Sequence, residues 1–347
     1  MALQKRIELL DGWRGMAVSL VLFGHFVPLP GSEIARLGVE LFFLLSGRLM
    51  AQILVFNEAR LPTFYWRRFT RVIPGLYVFV AVVFLLSQAG LFDVTGLQYT
   101  SVLTMWSNYL FTFAERQPVF GHTWSLAIEE HSYIVLGILA FVLRRSIPAS
   151  LLVSGLIILF GFLHGAWLTW GKGLGFYEVY WRTDVRAASL FCGYFGYIYH
   201  RRYGLPFVNQ IAKMSDAMLV VFAAIITVQF ASVVADPIKY TLGTIMTGLL
   251  LLALEQRAHE AQPGWVVRQI FEQPKLILLG QISYSVYLYQ QIFHVLKEDL
   301  PIYYSPLFII PALLLGYLSY HLVEQPSRKA LNGLGSSFMS RKAAERT

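Results

Sequence analysis

LLDGWRGMAVSLVLFGHF, residues 9–26, is apolar enough to enter a bilayer, yet it carries Arg14 and His25. An arginine within a span costs roughly 2.5 kcal/mol or more on insertion scales, so a chain retains one there for a partner or a task. The two residues are eleven positions apart. At about 100° per residue, His25 returns to within roughly 20° of Arg14's face of an α-helix, about 16 Å further along it. One helix then presents a cation and an imidazole down a single stripe, at two depths. The run closes in PLPGSE, residues 28–33, which offers no small-x-small cleavage site, so it is expected to stay as a span rather than leave as a signal peptide.

Composition extends that reading to the whole chain. Of 347 residues, 56% are hydrophobic and 14% are charged, against about 25% charged in a soluble globular protein. The expected fold is therefore an all-α integral membrane protein. Apolar runs of span length fall at about 10–28, 36–56, 72–92, 124–143, 149–169, 183–199, 215–235, 239–255, 276–296 and 303–323, which predicts a polytopic bundle of about ten transmembrane helices. The aromatic stretch 101–113 is expected to lie in the interface or to re-enter. Basic residues concentrate in alternate connections, among them Arg144, Arg145, Arg201, Arg202, Arg328 and Lys329. The opposite connections hold only Arg36, Arg116, Lys172, Arg182, Lys239 and Lys297. The positive-inside rule then makes both termini cytoplasmic. Residues 1–331 form the expected membrane domain, and 332–347 a polar, basic cytoplasmic tail.

The net charge of +8 lies in short loops between apolar runs, so nucleic acid is not an expected partner. Cys192 is the only cysteine, which excludes an intrachain disulfide. The histidines show no HExxH or equivalent ligand spacing, and no metal is expected. GxSxG and P-loop motifs are absent, and no GxGxxG occurs in a strand–helix setting.

The topology gives each intramembrane polar residue a depth. His25, Glu40, Glu129, Glu130, Asp184, Arg186, Gln290 and Gln291 fall toward the outer ends of five spans. Buried ionisable groups face a bundle interior or a wet cavity and find partners, so an outward-opening polar cavity is expected. An imidazole there can take a proton from a hydroxyl, and Glu40 could orient it as the acid of a triad does. Which carboxylate does so is not fixed by the sequence. Arg14 and Arg48 lie deeper. Below them FYWRRFTRVIP, residues 64–74, sets Arg67, Arg68 and Arg71 among aromatics. That cluster could hold phosphates by charge-assisted hydrogen bonds, although ordinary anchoring at the inner face places arginines in the same way. A proton-coupled transporter or flippase using Arg14 and His25 as a relay is the competing reading.

Several segments carry a family resemblance. Residues 9–26 resemble the first-span signature of the acyltransferase 3 family, with Arg14 and His25 in its arginine, ten residues, histidine motif. LGVELFFLLSGRLM (37–50), FYWRRFTRVIP, HTWSLAIEEHSY (122–133), ISYSVYLYQQ (282–291) and HLVEQPSRKAL (321–331) resemble its later motifs, in family order. There are departures. Glu40 stands where Asp is usual, Arg48 where an apolar or aromatic residue is usual, His131 where Gln is usual, and Gln290 where many members have His. No appended hydrolase-like domain is expected after the last span. The resemblance implies transfer of an acyl group, most simply acetyl, from cytoplasmic acetyl-CoA or another acyl-CoA to an extracytoplasmic hydroxyl. The donor-binding set is then Arg14, Arg48, Arg67, Arg68 and Arg71. The catalytic set is His25, Arg14, Glu40, Glu129 and Glu130, with His25 taking the acceptor's proton or first accepting the acyl group. The implied setting is a bacterial cytoplasmic (inner) membrane. The implied partners are membrane lipid and a glycan or lipid-linked glycan, and a surface polysaccharide such as O-antigen is the first choice of acceptor.

Overall fold

The stretch that opens the chain folds as helix α1 (Glu8–Phe26) and packs along α2 (Ala35–Met50). The computed structural model describes residues 8–27, 33–114, 117–144, 146–231, 237–258, 264–297 and 301–344, and among these no strand occurs. Arg116, Arg145 and most of the PLPGSE stretch lie outside the described residues. The remaining helices are α3 (Leu61–Gln88), α4 (Gly96–Leu103), α5 (Ser107–Phe113), α6 (Thr123–Val142), α7 (Ile147–Ala166), α8 (Phe176–Tyr180), α9 (Thr183–Tyr203), α10 (Pro206–Ala212), α11 (Asp216–Ala231), α12 (Pro237–Ala258), α13 (Gly264–Val266), α14 (Pro274–Gln281), α15 (Ser283–Leu296), α16 (Ile309–Ser319) and α17 (Gln325–Ala344). Five described helical stretches are long and apolar enough to cross a bilayer: Ala35–Phe56, Leu61–Gln88, Thr123–Val142, Ile147–Gly171 and Ile302–Leu334.

Three elements differ from the sequence reading. First, the basic segment is helical rather than a loop. Helix α3 begins at Leu61, with a proline in its first turn, where a missing N–H costs nothing. At 28 residues it is about 42 Å long, beyond the hydrocarbon thickness of about 30 Å. Its first turns, with Arg67, Arg68 and Arg71, therefore have room to extend past the apolar layer. Second, the run expected at 276–296 is broken at Ile282, between α14 and α15. Third, α17 continues across residue 331, where a separate tail was expected. Trp66 Nε1 donates to the Leu331 carbonyl (3.2 Å) and Thr70 Oγ1 to Asn332 Oδ1 (3.1 Å), tying α17 to α3. The aromatic stretch 101–113 is split into α4 and α5. A Thr95–Gln98 capping box starts α4.

Helices α2 and α9 pack backbone to backbone, as α1 and α14 do. A Cβ on Gly47 would fall on the Leu190 carbonyl, and one on Gly193 on the Leu44 carbonyl. Only glycine permits backbones to meet this closely, a common device where helices associate inside a membrane. Two buried ion pairs join α2 to its neighbours, one to α9 and one to α12. Arg186 of α9 donates to Glu40, whose other oxygen accepts from Thr244 Oγ1 of α12 (2.8 Å). Arg48 donates through Nε to Glu255 of α12 (2.9 Å), also through Nη2, and lies 4.2 Å over the Tyr197 ring. Glu40 is 0% and Arg48 1% exposed. Each charge is compensated where it sits, as burial demands.

Candidate active site

Two cavities flank α1, and its stripe serves both. Arg14 lines one and His25 the other.

The first cavity is lined by residues of α1, α2, α3, α6 and α15. Arg14, Arg68 and Arg71 line it with Glu129, Ser46 and Tyr133. Arg14 pairs with Asp11 one turn earlier (3.1 Å). Arg68 lies between Glu130 (3.4 Å) and Glu129 (3.8 Å) and 3.8 Å over the Tyr133 ring. Glu129 also accepts from Ser46 Oγ (3.1 Å) and the Tyr133 hydroxyl (2.9 Å). Arg71 makes no ion pair within 4 Å among the described residues, although the charge of the buried Glu324 acts on it. Arginines around a cavity, one of them without a direct ion pair, suit an anionic ligand.

The second cavity lies at the C-terminal end of α1, beside Val21 and His25. His25, His122, His294, Gln291 and the Arg36–Glu33 ion pair (3.4 Å) supply polar lining, and Trp124, Tyr180 and Trp181 much of its aromatic wall. A chain of amides sets the state of His25. Gln291 Nε2 donates to the Pro118 carbonyl (2.7 Å), so Gln291 Oε1 is the atom that accepts from Gln290 Nε2 (3.3 Å). Gln290 must then turn Oε1 to His25 Nδ1, at 2.8 Å. An amide oxygen can only accept, so Nδ1 carries the proton and Nε2 is the basic nitrogen. Gln290 is 0% and Gln291 4% exposed, which keeps the chain in register. His294, four residues and one turn beyond Gln290, stacks on His25 with centroids 4.3 Å apart. His122 is 4% exposed, and neither of its ring nitrogens has a hydrogen-bond partner among the described residues.

The expected site residues therefore separate. Arg14, Arg68, Arg71 and Glu129 meet in the first cavity, and Glu130 joins them through Arg68. Glu129 and Glu130 were expected at the level of His25, but the arginines of α3 draw them to the other cavity. Arg67 is exposed and outside the cavity lining. Arg48 is also outside it, because Glu255 neutralises it in the α2–α12 contact. Glu40 does not hold His25 Nδ1; Gln290 does, while Arg186 and Thr244 occupy the Glu40 carboxylate. Asp184 pairs with Arg182 (2.7 Å) and His164 (3.0 Å), away from His25. The sequence puts Gln290 and Gln291 at this depth without a role, and it singles out neither His122 nor His294. The one-turn spacing of Gln290 and His294 was the available signal.

The chain matches the family described as the acyltransferase domain over residues 7–322. It belongs to the acyltransferase 3 family. That membership favours acyl transfer over the transporter reading. Among curated relatives it is 27% identical over 355 residues to the peptidoglycan O-acetyltransferase OatA of Listeria monocytogenes, covering 94% of this chain and 56% of that protein. It is likewise 27% identical over 363 residues to the O-acetyltransferase OatA of Staphylococcus aureus, covering 92% of this chain and 57% of the relative. The chain thus spans little more than half the length of these relatives. No solved structure matches it.

Proposed function

We propose that this acyltransferase 3 member moves an acetyl group from acetyl-CoA on the cytoplasmic side to a hydroxyl of an extracytoplasmic envelope glycan, from a bacterial cytoplasmic membrane. The observation that carries the reading is the division of α1, with Arg14 in one cavity and His25 in the other. CoA phosphates would be held by Arg71 and by Arg14 and Arg68, charge against charge. The thioester would point along α1 toward the second cavity. There His25 Nε2 removes the acceptor hydroxyl's proton as its oxygen attacks, and Gln290 holds the ring in the required tautomer. The aromatic wall gives a sugar ring apolar faces to lie against. The positive-inside bias supports about ten spans with both termini cytoplasmic, which would put the arginine cavity on the donor side.

The relatives' names suggest peptidoglycan as acceptor, and the sequence reading suggests a surface polysaccharide such as O-antigen. Mass spectrometry of both glycans from cells with and without the gene distinguishes them: acetyl groups should vanish from one. Purified protein should release CoA from acetyl-CoA only when that acceptor is present and His25 is intact. Wild-type transfer by a His25→Ala variant would remove His25 from the mechanism.

A further inference from the structure

The two cavities share two lining residues, Val39 of α2 and Tyr287 of α15. They mark where the two cavities adjoin. The Tyr287 hydroxyl donates to the His122 carbonyl (3.1 Å) and shares a hydrogen bond with Ser125 Oγ (2.7 Å), pinning the ring to the turn that opens α6. Phe42, which lines the first cavity, and His122, which lines the second, both meet the Tyr287 ring edge to face, at 6.2 and 5.3 Å between centroids. The ring therefore stands as a wall with one cavity on each side.

We propose that Tyr287, backed by Val39, is the partition that keeps water away from the acyl thioester until an acceptor hydroxyl fills the second cavity. The inference rests on the acyl-transfer reading above. In transfer, the acceptor oxygen bonds to the thioester carbon as the C–S bond breaks. The hydroxyl proton passes to His25 and then to the departing CoA thiolate. Water can take the acceptor's place in the same step, leaving acetate and CoA thiol. An enzyme that meets its acceptor in a wet outer cavity must suppress that loss by excluding water from the reacting bond. The His122 turn links the wall to the acceptor. Its imidazole is buried, neither nitrogen has a hydrogen-bond partner among the described residues, and it lines the acceptor cavity. A sugar hydroxyl satisfying that ring binds beside Tyr287, against the turn whose carbonyl holds the Tyr287 hydroxyl.

The test measures CoA release from acetyl-CoA, with and without acceptor, for wild type, Tyr287→Ala, Tyr287→Phe and Val39→Ala. Tyr287→Ala should raise acceptor-independent release about tenfold and lower the share of acetyl reaching the acceptor. Tyr287→Phe, which keeps the ring and loses its anchor, should fall between it and wild type. Val39→Ala widens the same passage with little change in packing and should leak in the same direction, which covers the case of a misfolded Tyr287→Ala. Acceptor-independent release at the wild-type rate in Val39→Ala and folded Tyr287 variants would overturn the partition alone. So would a parallel fall of release and transfer, the mark of a merely structural tyrosine. Wild-type protein with no acceptor-dependent CoA release would overturn the acyl-transfer reading and the partition with it.

Discussion

Helices α1 and α2 lie side by side, and each carries ionisable groups at two depths, but the groups meet opposite fates. Glu40 and Arg48 of α2 are sealed in the protein by Arg186, Thr244 and Glu255. Arg14 and His25 of α1 line cavities. In one interior, Glu40 and Arg48 lock helices together, and Arg14 and His25 face space that a ligand can fill. An intramembrane charge is thus a functional pointer only after its partners are known. The same contrast holds among the arginines: Arg48 and Arg186 make direct ion pairs with carboxylates, and Arg71 makes none within 4 Å among the described residues.

The sharpest way to break this comparison is to remove one group of each kind. His25→Ala should lower acetyl transfer by about 10²–10⁴-fold, the range for a lost general base, while acetyl-CoA binding and the detergent melting temperature stay near wild type. Glu40→Leu should do the reverse. Stripping Arg186 of its partner costs about 3–5 kcal/mol, read as a large fall in melting temperature and folded yield. Adding Arg186→Met should restore much of it, since an apolar pair of similar volume replaces a buried ion pair at little cost. Loss of transfer in a Glu40→Leu, Arg186→Met double variant that melts normally would move Glu40 to the functional side.

Two smaller effects sharpen the division within the cavities. Gln290→Leu should cut kcat by about 10²-fold, because an imidazole free to take the wrong tautomer is a poor base, with KM for acetyl-CoA unchanged. A rise in that KM instead would mean the two cavities are not separate. Arg71→Gln should raise KM for acetyl-CoA roughly tenfold, the worth of one or two hydrogen bonds to a charged group, and weaken its salt dependence. An unchanged KM would return Arg71 to simple anchoring at the inner face.

The helical class was legible from apolar run length, and the Arg14–His25 stripe from helical period, because both are local properties of the chain. Depth along a span was legible only coarsely. Glu129 and Glu130 lie near the outer end of their apolar run, yet Arg68 draws them toward the arginine cavity, and no spacing within 122–133 encodes a contact with α3. Glu40 reads as a partner for His25 by depth alone. Its actual partners come from α9 and α12, more than 140 residues away. The tautomer of His25 depends on a carbonyl, Pro118, that no sequence pattern singles out. His294 could have been found, since a helix places it directly over Gln290.

The claim that α1 connects a donor on one side of the membrane to an acceptor on the other is tested most directly in proteoliposomes. Acetyl-CoA and the glycan acceptor are supplied on the same side or on opposite sides of a sealed bilayer, and acetylated glycan is measured. Product is expected only when the two are separated by the membrane, and it should disappear with His25→Ala. Equal product with both on one side of intact vesicles would contradict transfer along α1.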